Sequence, residues 1–186
     1  MNARWRSIRV KGAIRLAVLL SLLTAAQVSA QEVGLDIDLG VPDAAGDQYQ
    51  VGWGGQLRIG DVTDVGIGNL ALEGALDYYR FPLSEAGVAA DLFRVTAGVR
   101  LGFALPLAPA IFAHVGYGAF DGSEAFPEAS ASGLTWDVGL AAELFTLDSM
   151  SVGLHAAFKS ISEYEDDRSA PSIQWFGLGL HGAFDL

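Results

Sequence analysis

Between residues 91 and 105 the sequence DLFRVTAGVRLGFAL places an apolar side chain at every second position. Phe93, Val95, Ala97, Val99, Leu101, Phe103 and Leu105 share one parity, and Arg94, Thr96, Gly98, Arg100, Gly102 and Ala104 take the other. Side chains alternate across a strand, so a period of two predicts one long strand with an oily and a polar face. A helix would scatter both arginines into its apolar stripe. The same pattern recurs until eight strands are accounted for. Leu35, Ile37 and Leu39 oppose Asp36 and Asp38; Trp53, Leu57 and Ile59 oppose Gln56 and Arg58; Leu72, Leu76 and Tyr78 oppose Glu73 and Asp77. Ile111, Val115 and Tyr117 oppose His114; Leu134, Trp136, Val138, Leu140 and Leu144 oppose Asp137 and Glu143. Val152, Leu154 and Phe158 oppose His155 and Lys159, and Phe176, Leu178, Leu180, Phe184 and Leu186 oppose Gly177, Gly179 and His181.

The punctuation agrees with these boundaries. All six prolines fall between the runs or at their margins, as they must if none can donate to a sheet ladder. Tight connectors (PLAP and TLDS) follow the fourth and sixth runs, while longer ones follow the odd runs. DVTDVGIG, after the second run, is longer than this rhythm predicts. No repeat, low-complexity tract or second domain is apparent.

One oily and one polar face suit a soluble barrel or sandwich with the oily face inside, or a membrane barrel with it outside. Three observations favour lipid on the oily side. The polar parity is rich in glycine, including Gly40, Gly52, Gly54, Gly98, Gly116, Gly118, Gly177 and Gly179; small residues suit a narrow eight-stranded interior, which is barely wide enough for side chains. Most runs reach the roughly 9–11 tilted residues needed to cross hydrocarbon. Aromatics collect on the oily parity near run ends, as interfacial girdles do. Tyr78, Phe93, Tyr117, Trp136, Phe158 and Phe176 lie towards the long connectors, with Phe103 and Phe184 towards the short ones.

The first thirty residues read differently. Arg4, Arg6, Arg9, Lys11 and Arg15 precede the apolar run LAVLLSLLTAA, and VSA ends at Ala30. This predicts a secretory signal peptide over 1–30, cleaved after Ala30, and a barrel domain over 31–186. An uncleaved anchor is the competing reading, but eleven apolar residues fall well short of the roughly 20 a spanning helix needs. Without a twin arginine the general secretion route is expected. Removing the signal takes five of eleven basic residues and no acidic one, so the remainder carries a formal charge of −16. Such a surface is a poor partner for nucleic acid, whose phosphates are held by Lys and Arg. With no cysteine there is no disulfide, thiolate metal site or lipidated N-terminal Cys.

A signal peptide, eight amphipathic strands, short turns at one end and acidic loops at the other resemble the small OmpA/OmpX-type outer-membrane barrels of two-membrane bacteria. The resemblance spans nearly all of residues 31–186 and rests on architecture, not on a diagnostic motif. It implies an all-β, eight-stranded antiparallel up-and-down transmembrane β-barrel, monomeric, with its N-terminus on the periplasmic side. It also implies outer-membrane lipid and lipopolysaccharide as surroundings, and the barrel-assembly machinery as a partner during biogenesis. Such barrels usually end in an aromatic residue; here Leu186 is last and Phe184 stands two positions earlier.

The polar parity collects Asp36, Asp38, Glu73, Asp77, Asp137 and Glu143 against Arg58, Arg94, Arg100 and Lys159. Unpaired buried charge is costly, so these groups are expected to pair into a plug; a charge-lined pore is the alternative. His114, His155 and His181 share that interior, where His155 can approach His181 and His181 can approach Asp36. Their spacing carries no metal-ligand signature, so no metal is assigned. No histidine falls on the lipid face, and Ser151 lies four strand residues from His155, roughly 13 Å at the usual rise. No enzyme activity is therefore expected, and a lipid-acting barrel enzyme, which would use Ser, His and a carboxylate near the lipid face, stands as the remaining alternative. GLGLHG, at 177–182, fits G-x-G-x-x-G, but no helix follows it; it reads as the closing strand, and no cofactor is expected. Eleven acidic residues are assigned to the loops: Asp43, Asp47, Glu85, Asp91, Asp121, Glu124, Glu128, Glu163, Glu165, Asp166 and Asp167. They suggest a solvated rim, with cation bridging to lipopolysaccharide as the sharper alternative. The expected role is structural or surface-interacting; the alternative is a narrow conduit for small, apolar molecules, as in OmpW-like barrels.

Overall fold

The structure is a computed structural model that describes residues 32–43, 49–83, 88–121, 131–163 and 173–186. The signal peptide and much of the acidic loop sequence, including Asp47, Glu85, Glu124, Glu128, Glu165, Asp166 and Asp167, lie outside the described residues. Eight strands follow one another: β1 (Glu32–Pro42), β2 (Gly52–Asp64), β3 (Gly68–Pro82), β4 (Ala89–Phe103), β5 (Ala110–Asp121), β6 (Ala131–Leu147), β7 (Met150–Glu163) and β8 (Ile173–Asp185). Each pairs antiparallel with its neighbours in sequence, and β1 pairs with β8, so the sheet closes into an up-and-down barrel. Closure leaves no strand edge unpaired, which a sheet in lipid requires. Among the described residues no helix is long and apolar enough to cross a membrane.

The alternation sets the two faces. Ile37, Leu72 and Leu140 are 66%, 64% and 61% exposed on the outside, while their sequence neighbours Asp36, Asp38 and Glu73 are buried within. The strands run from 11 to 17 residues, enough for a hydrocarbon band about 25 Å tall at the usual tilt. The aromatic girdle forms on the outside at the loop end. There Trp53 packs on Tyr78, and Phe158 packs on both Trp136 and Phe176.

Strand termini settle the connector lengths. β2 continues through Asp64, so DVTDVGIG is mostly strand and only residues 65–67 turn. Gly66 adopts φ 82° at that turn, and its N–H donates to Asp64 Oδ1 at 2.6 Å. The turns at 104–109 and 148–149 use left-handed Leu107, Ala108 and Asp148 instead of glycine. Asp91, Asp121 and Glu163, expected in loops, are strand residues of β4, β5 and β7. A bulge between Glu143 and Phe145 shifts the register of β6 against β7. Below it Leu144 and Phe145 are both exposed, so the alternation that carried β6 inward and outward stops there.

Candidate functional site: the network inside the barrel

The interior is stacked in three zones. Nearest the loop end lies an apolar cluster of Tyr79, Phe81, Leu92, Phe120, Ile161 and Trp175, with Leu83 and Ala90. Tyr79 stacks on Phe81 with ring centres 5.9 Å apart, and Trp175 meets both edge-on at 5.6 and 6.1 Å. Sequence reasoning missed this cluster.

Two cations lie against its aromatic rings. The Arg94 guanidinium lies 5.4 Å from the Trp175 ring centre and Lys159 Nζ lies 4.9 Å from that of Tyr79. Both side chains are inaccessible to solvent, a position charged groups tolerate only when paired. Lys159 Nζ donates to Asp77 Oδ1 at 2.8 Å and stands 3.6 Å from Asp38 Oδ2. Arg94 donates to Asp137 and approaches Asp77 at 3.7 Å. Gln56 donates to Asp77, the Tyr79 hydroxyl donates to Asp38, and His114 Nδ1 lies 2.7 Å from Asp137 Oδ1. Elements far apart in sequence (β1, β3, β4, β6 and β7) meet in this zone.

Nearest the turn end, Arg58 holds Asp36 with two nitrogens, Nε at 3.0 Å and Nη2 at 3.2 Å, and gives Nη1 to Glu73 at 2.9 Å. Arg100 Nε donates to the other Glu73 oxygen at 3.0 Å, and its Nη2 reaches Glu32. This fork-on-carboxylate geometry is the strong form of charged hydrogen bond. His155 and His181 lie beside it, rings stacked 6.4 Å apart, with Asp36 directly opposite His181 in the β1–β8 register.

Twelve of the thirteen residues expected in the lumen therefore converge in two linked clusters. Glu143 does not join them: beside the bulge at the turn-end rim it accepts a 3.3 Å hydrogen bond from Thr146. Glu32, absent from the expected set, joins instead because β1 begins one residue before the first apolar position and carries it inward. Each cluster holds three carboxylates against two cations: Asp38, Asp77 and Asp137 with Arg94 and Lys159, then Glu32, Asp36 and Glu73 with Arg58 and Arg100. At the loop-end rim, Tyr78 and Arg80 lie near Asp91 at 2.7 and 3.7 Å.

A closed eight-stranded barrel, apolar outside and ionic inside, defines a small membrane-spanning β-barrel protein. The chain belongs to the family described as the outer membrane protein beta-barrel domain, whose match spans residues 14–184. It is accordingly an outer-membrane protein. No curated protein matches the sequence. Among solved structures, the fold is similar to the N-terminal barrel of Pseudomonas aeruginosa OprF (13% identity, TM-score 0.50, covering 83% of this chain and 98% of that one). It is similar also to the outer membrane enzyme PagL (17%, 0.52, 83% and 99%) and to Neisserial surface protein A (14%, 0.52, 83% and 96%). At these identities the likeness is one of fold.

Proposed function

We propose that this protein is a closed outer-membrane barrel with a structural or surface-interaction role, its lumen sealed by the salt-bridged network and its acidic loops facing the exterior. The observation that carries this reading is the continuity of the filling. Trp175, Arg94, Tyr79 and Lys159 are all below 2% exposed and come from β8, β4, β3 and β7, and the cavity among the lumen charges has room for about one water. A solute would have to displace both an aromatic cluster and two sets of ion pairs. The narrow-conduit alternative has no comparable support.

The reading places the N-terminus in the periplasm after export by the general secretion route and assembly by the barrel machinery. The surroundings are lipid and lipopolysaccharide, the protein acts as a monomer, and it has no catalytic role. PagL is an enzyme on a similar fold, but here His114, His155 and His181 are all buried in the lumen, away from any lipid substrate. Planar-bilayer recording on the refolded barrel tests the reading. The expected result is no conductance steps above baseline; stable wild-type openings, or turnover of labelled lipid, would overturn it.

A further inference from the structure

Three buried side chains near the turn end are not fully used by the ion-pair network. One ligand-capable atom from each of Asp36, His155 and His181 lies within 4.8 Å of the other two. The register delivers them: Asp36 faces His181 across β1–β8, and His155 faces Gly179 across β7–β8, two residues from His181. Both histidines are more than nine-tenths buried, yet His155 Nδ1 and His181 Nε2 have no hydrogen-bond partner. Buried polar atoms are rarely left so. His155 Nε2 lies 2.5 Å from Asp38 Oδ1, which leaves Nδ1 as its free ring nitrogen. The small lumen cavity is lined by all three residues, and its size suits a single water or ion.

We propose that Asp36, His155 and His181 form a binding site for one divalent first-row transition ion of the Zn²⁺ type. Two imidazoles and a carboxylate are the donor set such ions select, whereas Ca²⁺ and Mg²⁺ take oxygen ligands. Charge favours it. With neutral imidazoles the turn-end cluster carries three carboxylates against two arginines, and Asp38 adds a further negative group beside His155. Asp38 also stands where a carboxylate orients a ligating imidazole through its other ring nitrogen. Tetrahedral bonds of about 2.0–2.1 Å put ligand atoms roughly 3.4 Å apart, so closure from 4.8 Å takes small rotations of the two rings. Arg58 does not block the site: each Asp36 oxygen retains a second lone pair. The fourth position is open to a water.

The inference is independent of the closed-barrel role and is tested on the refolded, chelator-stripped protein with the metal alone. Co²⁺ is titrated while its visible absorption is followed, and Zn²⁺ is titrated by calorimetry. Wild type should bind one equivalent with the bands of a four-coordinate site, and Zn²⁺ should bleach them. His155→Gln and His181→Gln should each weaken affinity at least tenfold, while a loop variant (Glu165→Gln, Asp166→Asn, Asp167→Asn) should bind as wild type. Heat-modifiable migration establishes that each variant is folded. Should one fail to fold, imidazole nitrogen NMR on the wild type decides, since Zn²⁺ must shift the His155 and His181 rings and leave His114 in place. A folded wild type that binds no ion, undiminished affinity in both histidine variants, or loss of binding in the loop variant would overturn the assignment.

Discussion

Lys159 Nζ on β7 donates to Asp77 Oδ1 on β3 at 2.8 Å, straight across the lumen, and neither side chain has more than 1% of its surface open to water. Neither strand is a neighbour of the other in the sheet. The pair therefore ties opposite walls together, and it does so where water cannot replace a missing partner.

That makes its loss expensive. Lys159→Met should destabilise the folded barrel by about 3–5 kcal/mol, because Asp77 and Asp38 lose the cation they share where water cannot replace it. Adding Asp77→Asn should cost less than the two single changes combined, with a coupling of about 0.5–3 kcal/mol. Urea unfolding of the four proteins in the double-mutant cycle, followed by tryptophan fluorescence, measures both quantities. Strict additivity would mean that Lys159 is held by the field of the cluster and not by Asp77.

The aromatic layer makes a second prediction. Trp175→Ala removes the ring that meets Tyr79, Phe81 and Arg94. A deleted buried aromatic costs about 3–5 kcal/mol. Trp175→Phe keeps most of the packing and should recover more than half of that loss in the same unfolding experiment.

Much of this fold is readable from alternation alone, and the unread parts have identifiable causes. A period of two assigns each side chain to lipid or lumen, and the ion-pair clusters follow because ten charged groups were sent inward with nowhere else to neutralise. The apolar cluster is hidden because it obeys the polar parity. Tyr79, Leu92 and Trp175 each sit beside a lipid-facing aromatic, in Tyr78–Tyr79, Leu92–Phe93 and Trp175–Phe176. Two large apolar residues in succession near a strand end are the signal that both faces are apolar there. The bulge at Leu144 left no such trace, and it ends the inward alternation just past Glu143, which stands at the turn-end rim outside both ionic clusters. Strand order already pairs His155 with His181 and His181 with Asp36; that all three come within 4.8 Å depends on the register of three strands, which spacing within one strand does not encode.

Glycine on the two faces should behave oppositely. A Cβ on Gly54, facing inward, would collide with the Tyr79 ring and stand 2.5 Å from the Tyr78 carbonyl oxygen, whereas one on Gly182, facing outward, meets nothing closer than 3.7 Å. Gly54→Ala should therefore destabilise by about 1–3 kcal/mol through overpacking. Gly182→Ala should be neutral or stabilising by about 0.5–1 kcal/mol, since alanine loses less backbone freedom on folding. Refolding yield into detergent micelles, read by heat-modifiable migration, ranks the two variants directly.

The last prediction concerns which zone seals the barrel. The aromatic cluster and the turn-end ion pairs lie in series along one narrow lumen, so the more resistant zone sets the current. Arg58→Ser with Arg100→Ser opens the turn end and leaves Glu32, Asp36 and Glu73 unpaired, yet the aromatic cluster stays intact. That variant should remain closed in a planar bilayer. Trp175→Ala with Phe81→Ala opens the loop end but keeps both ionic clusters, and should also remain closed or nearly so. Combining all four substitutions with Arg94→Ser and Lys159→Ser also removes the two cations of the middle cluster and so thins all three zones. The combined variant, provided it still migrates as a folded barrel, should show openings selective for cations, because the carboxylates left in the lumen repel anions. Conductance in either two-site variant equal to that of the six-site variant would locate the whole seal in a single zone.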